Sequence, residues 1–349
     1  MKKSLLVLAG IASIVIACNN NAPKEESNPE KSESVISESD AKLQKQAQSF
    51  FKVLPDAEPF GDAKTKLGKK LYYETALSVN NKISCNSCHM LDKYGVDNNA
   101  KSPGHDGSLG GRNSPTVYNA YFHISQFWDG RAADLKEQAG GPILNPVEMG
   151  MPDSSVCISD YKGRIDYIDE FKEVYPNDPN PVSFNNITDA IAAFEKTLST
   201  PAPFDAYLAG DNNALSADEK AGLETFINTG CITCHMGPGL GGQMYQKFGL
   251  INGPYWDYTG SEGHDEGRFE ATGNEADKYF FKVPALRNVE KTSPYFHDGS
   301  VADLGEAVKI MAKTQLNKDL TDDEVKSIVT FLNSLTGEIP AHALLAENN

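Results

Sequence analysis

The pattern Cys-x-x-Cys-His occurs twice, as Cys85-Asn86-Ser87-Cys88-His89 and as Cys231-Ile232-Thr233-Cys234-His235. Two thiols one helical turn apart can each form a thioether with a haem vinyl group, and the next residue places an imidazole under the iron. The competing use of two Cys-x-x-Cys pairs is a zinc ribbon. A ribbon does not require the histidine appended to each pair, and here the pairs stand far apart in the chain. The motifs imply two covalently bound haem c groups. Cys85, Cys88, Cys231 and Cys234 are the attachment thiols, and His89 and His235 are the fixed iron ligands.

Haem c of this kind is an export chemistry, and the N-terminus agrees. Lys2 and Lys3 precede an apolar stretch, Leu5 to Ala17, too short to span a membrane, so residues 1–18 read as a secretory signal. Val15-Ile16-Ala17-Cys18 is similar to a bacterial lipobox. That predicts a periplasmic lipoprotein whose membrane anchor is an acylated Cys18. Residues 19–49 are rich in Asn, Ser, Glu, Lys and Pro, and are expected to form a disordered acidic tether. The remaining length suits two domains, 50–201 and 202–337, followed by a C-terminal tail, 338–349. The formal net charge of −16 argues against nucleic acid and suits a basic or dipolar protein partner. Of the six cysteines only Cys157 has no assigned task, and it reads as a small buried apolar residue.

Helical signals recur in the same order around each haem motif, so the fold class is mainly α. Leu67 and Leu71 stripe a helix over 64–73 ahead of the first motif. Ser216 and Glu219 form a capping box ahead of Leu223, Phe226 and Ile227 before the second. Ile187, Ile191, Phe194 and Leu198 mark a closing helix stopped by Pro201. Val325, Ile328, Val329 and Leu332 mark another, opened by Thr321 and Glu324 and closed near Gly337.

Between motif and closing helix the chain repeats itself. The segment from Pro115 aligns without gaps to the segment from Pro284 at an offset of 169, and nine of 25 pairs are identical. Phe127-Trp128-Asp129-Gly130 falls on Phe296-His297-Asp298-Gly299. This predicts two cytochrome c-like haem domains related by internal duplication.

Where the copies differ, they are expected to divide the work. Met311, a thioether, falls on Pro142, which cannot ligate iron. A His/Met pair raises a haem's potential, so the second haem suits electron transfer while the first keeps a face open to an exogenous ligand. By spacing alone, Met236 and Met244 are alternatives to Met311. Around the open face stand Gln138 and Glu148, and a carboxylate there could move the proton that O–O cleavage requires. The bland alternative for Glu148 is a solvated loop residue. His105, in a glycine-rich stretch, could reach the open iron and withdraw again; otherwise it is a surface histidine.

Taken together, these blocks resemble the bacterial di-haem cytochrome c peroxidases, the group that also contains the methylamine-utilisation di-haem oxygenase. The likeness covers roughly residues 50–337. It rests on both haem motifs, Phe127 to Ala132, Glu137-Gln138-Ala139, Asn145 to Gly150, Lys282 to Asn288, and Pro294 to Gly299. It implies that His89 and His105 ligate a low-potential peroxidatic haem, His105 leaving on activation, and that His235 and Met311 ligate the high-potential haem. Gln138 and Glu148 match the distal pair, and Trp128 the aromatic residue between the haems. One calcium ion is implied at Asn113, Thr292 and Pro294. His297 matches a family residue of no assigned role.

The resemblance implies reduction of hydrogen peroxide with electrons from a small cytochrome c or copper protein, in a monomer or homodimer. Two other functions compete: a di-haem electron carrier, and an oxygenase-like enzyme oxidising a protein side chain. Met311 argues against the latter, whose related enzyme carries Tyr at that position.

Overall fold

The computed structural model describes residues 37–156, 158 and 168–344. The signal segment, Cys18, the tether up to residue 36, Cys157 and residues 345–349 lie outside the described residues.

Among the described residues, seven helices of ten residues or more carry the fold: α1 (Glu38–Phe50), α2 (Ala63–Tyr72), α3 (Leu135–Leu144), α4 (Phe184–Glu195), α5 (Ala217–Thr229), α6 (Leu304–Leu316) and α7 (Asp322–Asn333). Most begin on a side chain that satisfies an otherwise orphan backbone N–H. Asp62, Asp134, Ser183 and Asp303 cap α2, α3, α4 and α6, and full capping boxes open α5 (Ser216, Glu219) and α7 (Thr321, Glu324). The closing helix expected to run to Pro201 ends earlier, at Glu195. There the Thr197 hydroxyl donates to the Phe194 carbonyl and competes with the helical ladder.

In each half, the helix before the haem motif packs along the closing helix, and a glycine permits it. A Cβ on Gly68 of α2 would stand 1.9 Å from the Ala190 carbonyl oxygen of α4, and one on Gly222 of α5 2.1 Å from that of Ser327 in α7. No side chain fits either crossing. Around α2 and α4 lies a core that includes Leu67, Leu71, Phe171, Ile187, Ile191 and Phe194. Around α5 and α7 lies another, with Phe204, Leu223, Phe226, Ile328, Phe331 and Leu332.

The chain ends cross over between these cores, which corrects two expectations. The tether was expected to reach residue 49, but the chain is helical from Glu38. Leu43, Ala47 and Phe50 make an apolar stripe at helical spacing that composition alone conceals, and it packs on the second core. Gln44 and Gln48 anchor α1 by donating to the carbonyls of Tyr207 and Leu208, at 2.7 and 2.9 Å. The described part of the expected tail also folds: Ile339, Ala343 and Leu344 pack on the first core, and Tyr73 donates to the Ala343 carbonyl at 3.0 Å.

Local geometry recurs at the 169-residue offset. Asn119 and Asn288 adopt left-handed backbone (φ 63° and 60°), as do Phe127 and Phe296 (66° and 71°). Each asparagine precedes a 3₁₀ turn, Ala120–Phe122 or Val289–Lys291. Bridges pair Gln126 with Ala132 and Tyr295 with Val301. Asn119 and Asn288 even meet at one atom, donating to the Thr200 hydroxyl at 2.8 and 2.9 Å.

Among the described residues, the second half alone holds a two-stranded antiparallel ribbon, Tyr245–Lys247 with Phe280–Lys282. Beside it a third core gathers Phe248, Tyr255, Phe281, Val301, Ala307 and Ile310. No helix among the described residues is long and apolar enough to cross a membrane.

Candidate functional site

Both Cys-x-x-Cys-His motifs line one cavity of about 760 Å³. Cys85–Cys88 form a single helical turn, whereas Cys231–Thr233 form a 3₁₀ turn after left-handed Gly230. The two turns reach the same end. Nδ1 of His89 lies 3.0 Å from the Pro115 carbonyl, and Nδ1 of His235 lies 3.0 Å from that of Leu240. A carbonyl only accepts, so Nδ1 carries the hydrogen and Nε2 is left as a lone-pair donor for iron. Burial holds both imidazoles below their usual pKa, in the neutral, ligating form. Two thiols and one oriented imidazole at each end of a largely buried cavity fit a pair of haem c groups.

The two halves of the chain line this cavity differently. In the first, Gln138 and Pro142 of α3 line the cavity with Arg131, Asn145 and Glu148. Asn145 donates to Glu148 Oε1 at 2.9 Å. Burial raises the Glu148 carboxyl pKa, while Arg131 and the Asn145 bond oppose the rise. In the second, α6 brings in Met311. Met236 is exposed, and neither it nor Met244 is among the lining residues, so the two alternatives by spacing are not brought together with His235.

His105 is not brought to the cavity. Its backbone N–H donates to the Glu148 carbonyl at 2.8 Å, its Nε2 lies 3.1 Å from the Pro146 carbonyl, and its ring covers Gly150. The glycine-rich stretch is docked against residues 146–150, with Gly104 packed so closely that a Cβ would meet the Val147 carbonyl oxygen at 1.6 Å.

Trp128 lines the cavity, its indole Nε1 donating to the Asn113 carbonyl at 2.9 Å. Asn113, Thr292 and Pro294 line it too. Among the described residues none donates to the Thr292 or Pro294 carbonyl or to the Asn113 side-chain oxygen. His297, only 2 % exposed, stacks on Phe281 at 4.2 Å between ring centroids.

Sequence reasoning missed several residues of this cavity. Glu195 is 4 % exposed with Oε2 unpartnered, and burial pushes its carboxyl up to about 8. Lys282 is 7 % exposed, and His123 has a buried Nε2 without a partner. Arg112 holds Asp129, Asp265 and Glu270 together, tying residues 265–270 to the first half. Lys282 was discoverable: it stands at the repeat offset from Asn113, just before the gap-free alignment begins.

The model of the di-haem cytochrome c peroxidase family matches residues 62–213. The chain is 45 % identical over 313 residues to cytochrome c551 peroxidase of Pseudomonas aeruginosa, covering 87 % of this chain and 89 % of that one. It is 48 % identical over 276 residues to cytochrome c551 peroxidase of Nitrosomonas europaea, covering 79 % and 80 %. This chain belongs to the di-haem cytochrome c peroxidase family. The crystal structure of a MauG-like protein associated with microbial copper homeostasis superposes with a TM-score of 0.73 at 28 % identity, covering 84 % of this chain and 96 % of that one. Membership in the family accounts for the paired haem motifs, the largely helical fold and the polar end of the cavity.

Proposed function

We propose that this chain is a di-haem cytochrome c peroxidase, reducing hydrogen peroxide to two molecules of water with two electrons and two protons. The observation that carries this reading is that one cavity is lined by both haem motifs together with Gln138 and Glu148 from the first half and Met311 from the second; we assign the first pair to the His89 haem and Met311 to the His235 haem. The haems, when bound, supply the iron that binds peroxide at the first end and relays single electrons from the second. Glu148 takes a proton from the nearer peroxide oxygen and returns it to the leaving oxygen, while Gln138 orients the peroxide. Burial raises this carboxyl above its ordinary value, which favours returning the proton to the leaving oxygen. Trp128 is the aromatic link for electrons between the two haems.

In the same reading the two halves are haem domains related by duplication, with boundaries near 50–201 and 202–337. The matched left-handed asparagines and 3₁₀ turns support it. His105 is the sixth ligand of the first iron in the oxidised resting state. Its docked position on residues 146–150 is the released state. Calcium binds the Asn113 side-chain oxygen and the Thr292 and Pro294 carbonyls, all hard oxygen donors, with water completing the shell. The protein is exported to the periplasm and held by a lipidated Cys18, and it receives electrons from a small cytochrome or copper protein.

Peroxide turnover by the holoprotein with a reduced small cytochrome tests the reading. Turnover in the half-reduced state is expected. A holoprotein that exchanges electrons but keeps both irons six-coordinate and inert to peroxide is instead an electron carrier.

A further inference from the structure

The 169-residue repeat places a second polar site opposite the proposed calcium site. The residues Asn113, Thr292 and Pro294 correspond to Lys282, His123 and Ser125 under the same offset, with the roles of the halves exchanged. The structure brings the second set together. Lys282 Nζ donates to the Ser125 carbonyl at 2.8 Å and lies 3.4 Å from His123 Nδ1. The backbone frame is reciprocal as well: Asn113 N–H donates to the His297 carbonyl and Lys282 N–H to the Trp128 carbonyl, both at 2.7 Å.

We infer that the Lys282 ammonium is a built-in cation standing where the repeat puts the calcium site in the first half, and that it balances a carboxylate the second haem brings into the cavity. This rests on the calcium reading above. An ammonium has no acceptor capacity, so His123 Nδ1 accepts from it and the imidazole's other nitrogen carries the hydrogen. That Nε2–H is buried without a partner in a cavity-lining residue, a donor suited to a carboxylate oxygen. Lys282 is buried beside it at the same cavity, where burial pulls its pKa down to about 8 and the Asp129 carboxylate opposes the fall. A buried cation without a close ion pair is costly, so an anion delivered by the ligand completes the site. The ring of His123 is fixed by Gly242, where a Cβ would stand 2.4 Å from it.

The experiment exchanges the cations in the holoprotein. Lys282→Asn recreates the side chain found at the matching place in the first half, and should add one calcium per chain in equilibrium dialysis. Lys282→Met should add none. In redox titration Lys282→Met should lower the reduction equilibrium constant of the second haem on the order of tenfold, about 59 mV for one electron, and Lys282→Arg should restore it. Haem content checks that each variant assembles. Equal calcium in wild type and Lys282→Asn, or an unmoved second-haem potential in Lys282→Met, overturns the inference. A wild type that binds no calcium, with the Lys282→Met shift intact, overturns the calcium reading at Asn113 and leaves the ammonium's role standing.

Discussion

Lys282 donates its backbone N–H to the Trp128 carbonyl at 2.7 Å, and the repeat-related bond from Asn113 to His297 has the same length. Trp128 therefore sits on a reciprocal seam between the halves, further fastened by its own indole bond to Asn113. A side chain so placed is held still, which suits an electron link. Trp128→Leu is expected to retain both haems and to slow transfer from the second haem to the first at least tenfold in rapid-mixing measurements on half-reduced protein. Transfer at the wild-type rate would take the indole off the route.

Met311 projects from α6 into the same cavity as His235, and Pro142 stands at its place in the first half. Replacing thioether by imidazole lowers a haem's potential. Met311→His should move the second haem substantially downward in a redox titration, whereas Met244→Leu should leave both haems where they are. The reverse pattern would transfer the ligand role to Met244.

Glu148 shares the polar end of the cavity with Gln138 and Arg131. Glu148→Gln preserves the bulk and removes the transferable proton, so turnover should fall on the order of 10² to 10⁴ with haem content unchanged. Because burial raises this carboxyl, the acid limb of the wild-type rate should lie above the ordinary glutamate range and vanish in the variant. Near-normal turnover would make Glu148 a structural carboxylate.

His105 has two incompatible tasks in this scheme. The Nε2 that now meets Pro146 cannot hold that bond while ligating iron. His105→Ala should turn the first haem from low-spin to high-spin in the oxidised state, read by electron paramagnetic resonance, and leave the half-reduced spectrum as in wild type. An oxidised spectrum identical to wild type would end the ligand switch.

What the sequence disclosed follows from how local each signal is. The haem motifs, the Ser216 and Thr321 capping boxes, and the stripes of α2, α4, α5 and α7 are short-range patterns, and they appear as helices and motifs in the structure. The folding of α1 was hidden because three apolar residues on one face are diluted by polar neighbours in any composition count. The partnership of Lys282 with His123 and Ser125 spans more than 150 residues, so only the repeat arithmetic, carried two residues further upstream, could have revealed it. His105 looked mobile because glycines permit many backbone shapes. In the structure one of those glycines, Gly104, permits close docking on Val147 and Glu148.

The last expectation concerns Glu195 at the end of α4, whose carboxyl faces the cavity with Oε2 unpartnered and whose burial pushes it up to about 8 from an ordinary value near 4.5. Between those values the folded chain binds a proton that the unfolded chain has released. Stability carried by this group is therefore full below about pH 4.5 and is lost as pH rises toward and through 8. Glu195→Gln keeps a neutral hydrogen-bonding side chain in place and removes the titration. Denaturant midpoints of the holoprotein from pH 5 to 8 should fall more steeply in wild type than in Glu195→Gln, and the variant should gain on wild type as pH rises. Parallel slopes would show that the carboxyl acquires a partner in the haem-loaded cavity strong enough to return it to ordinary carboxylate behaviour.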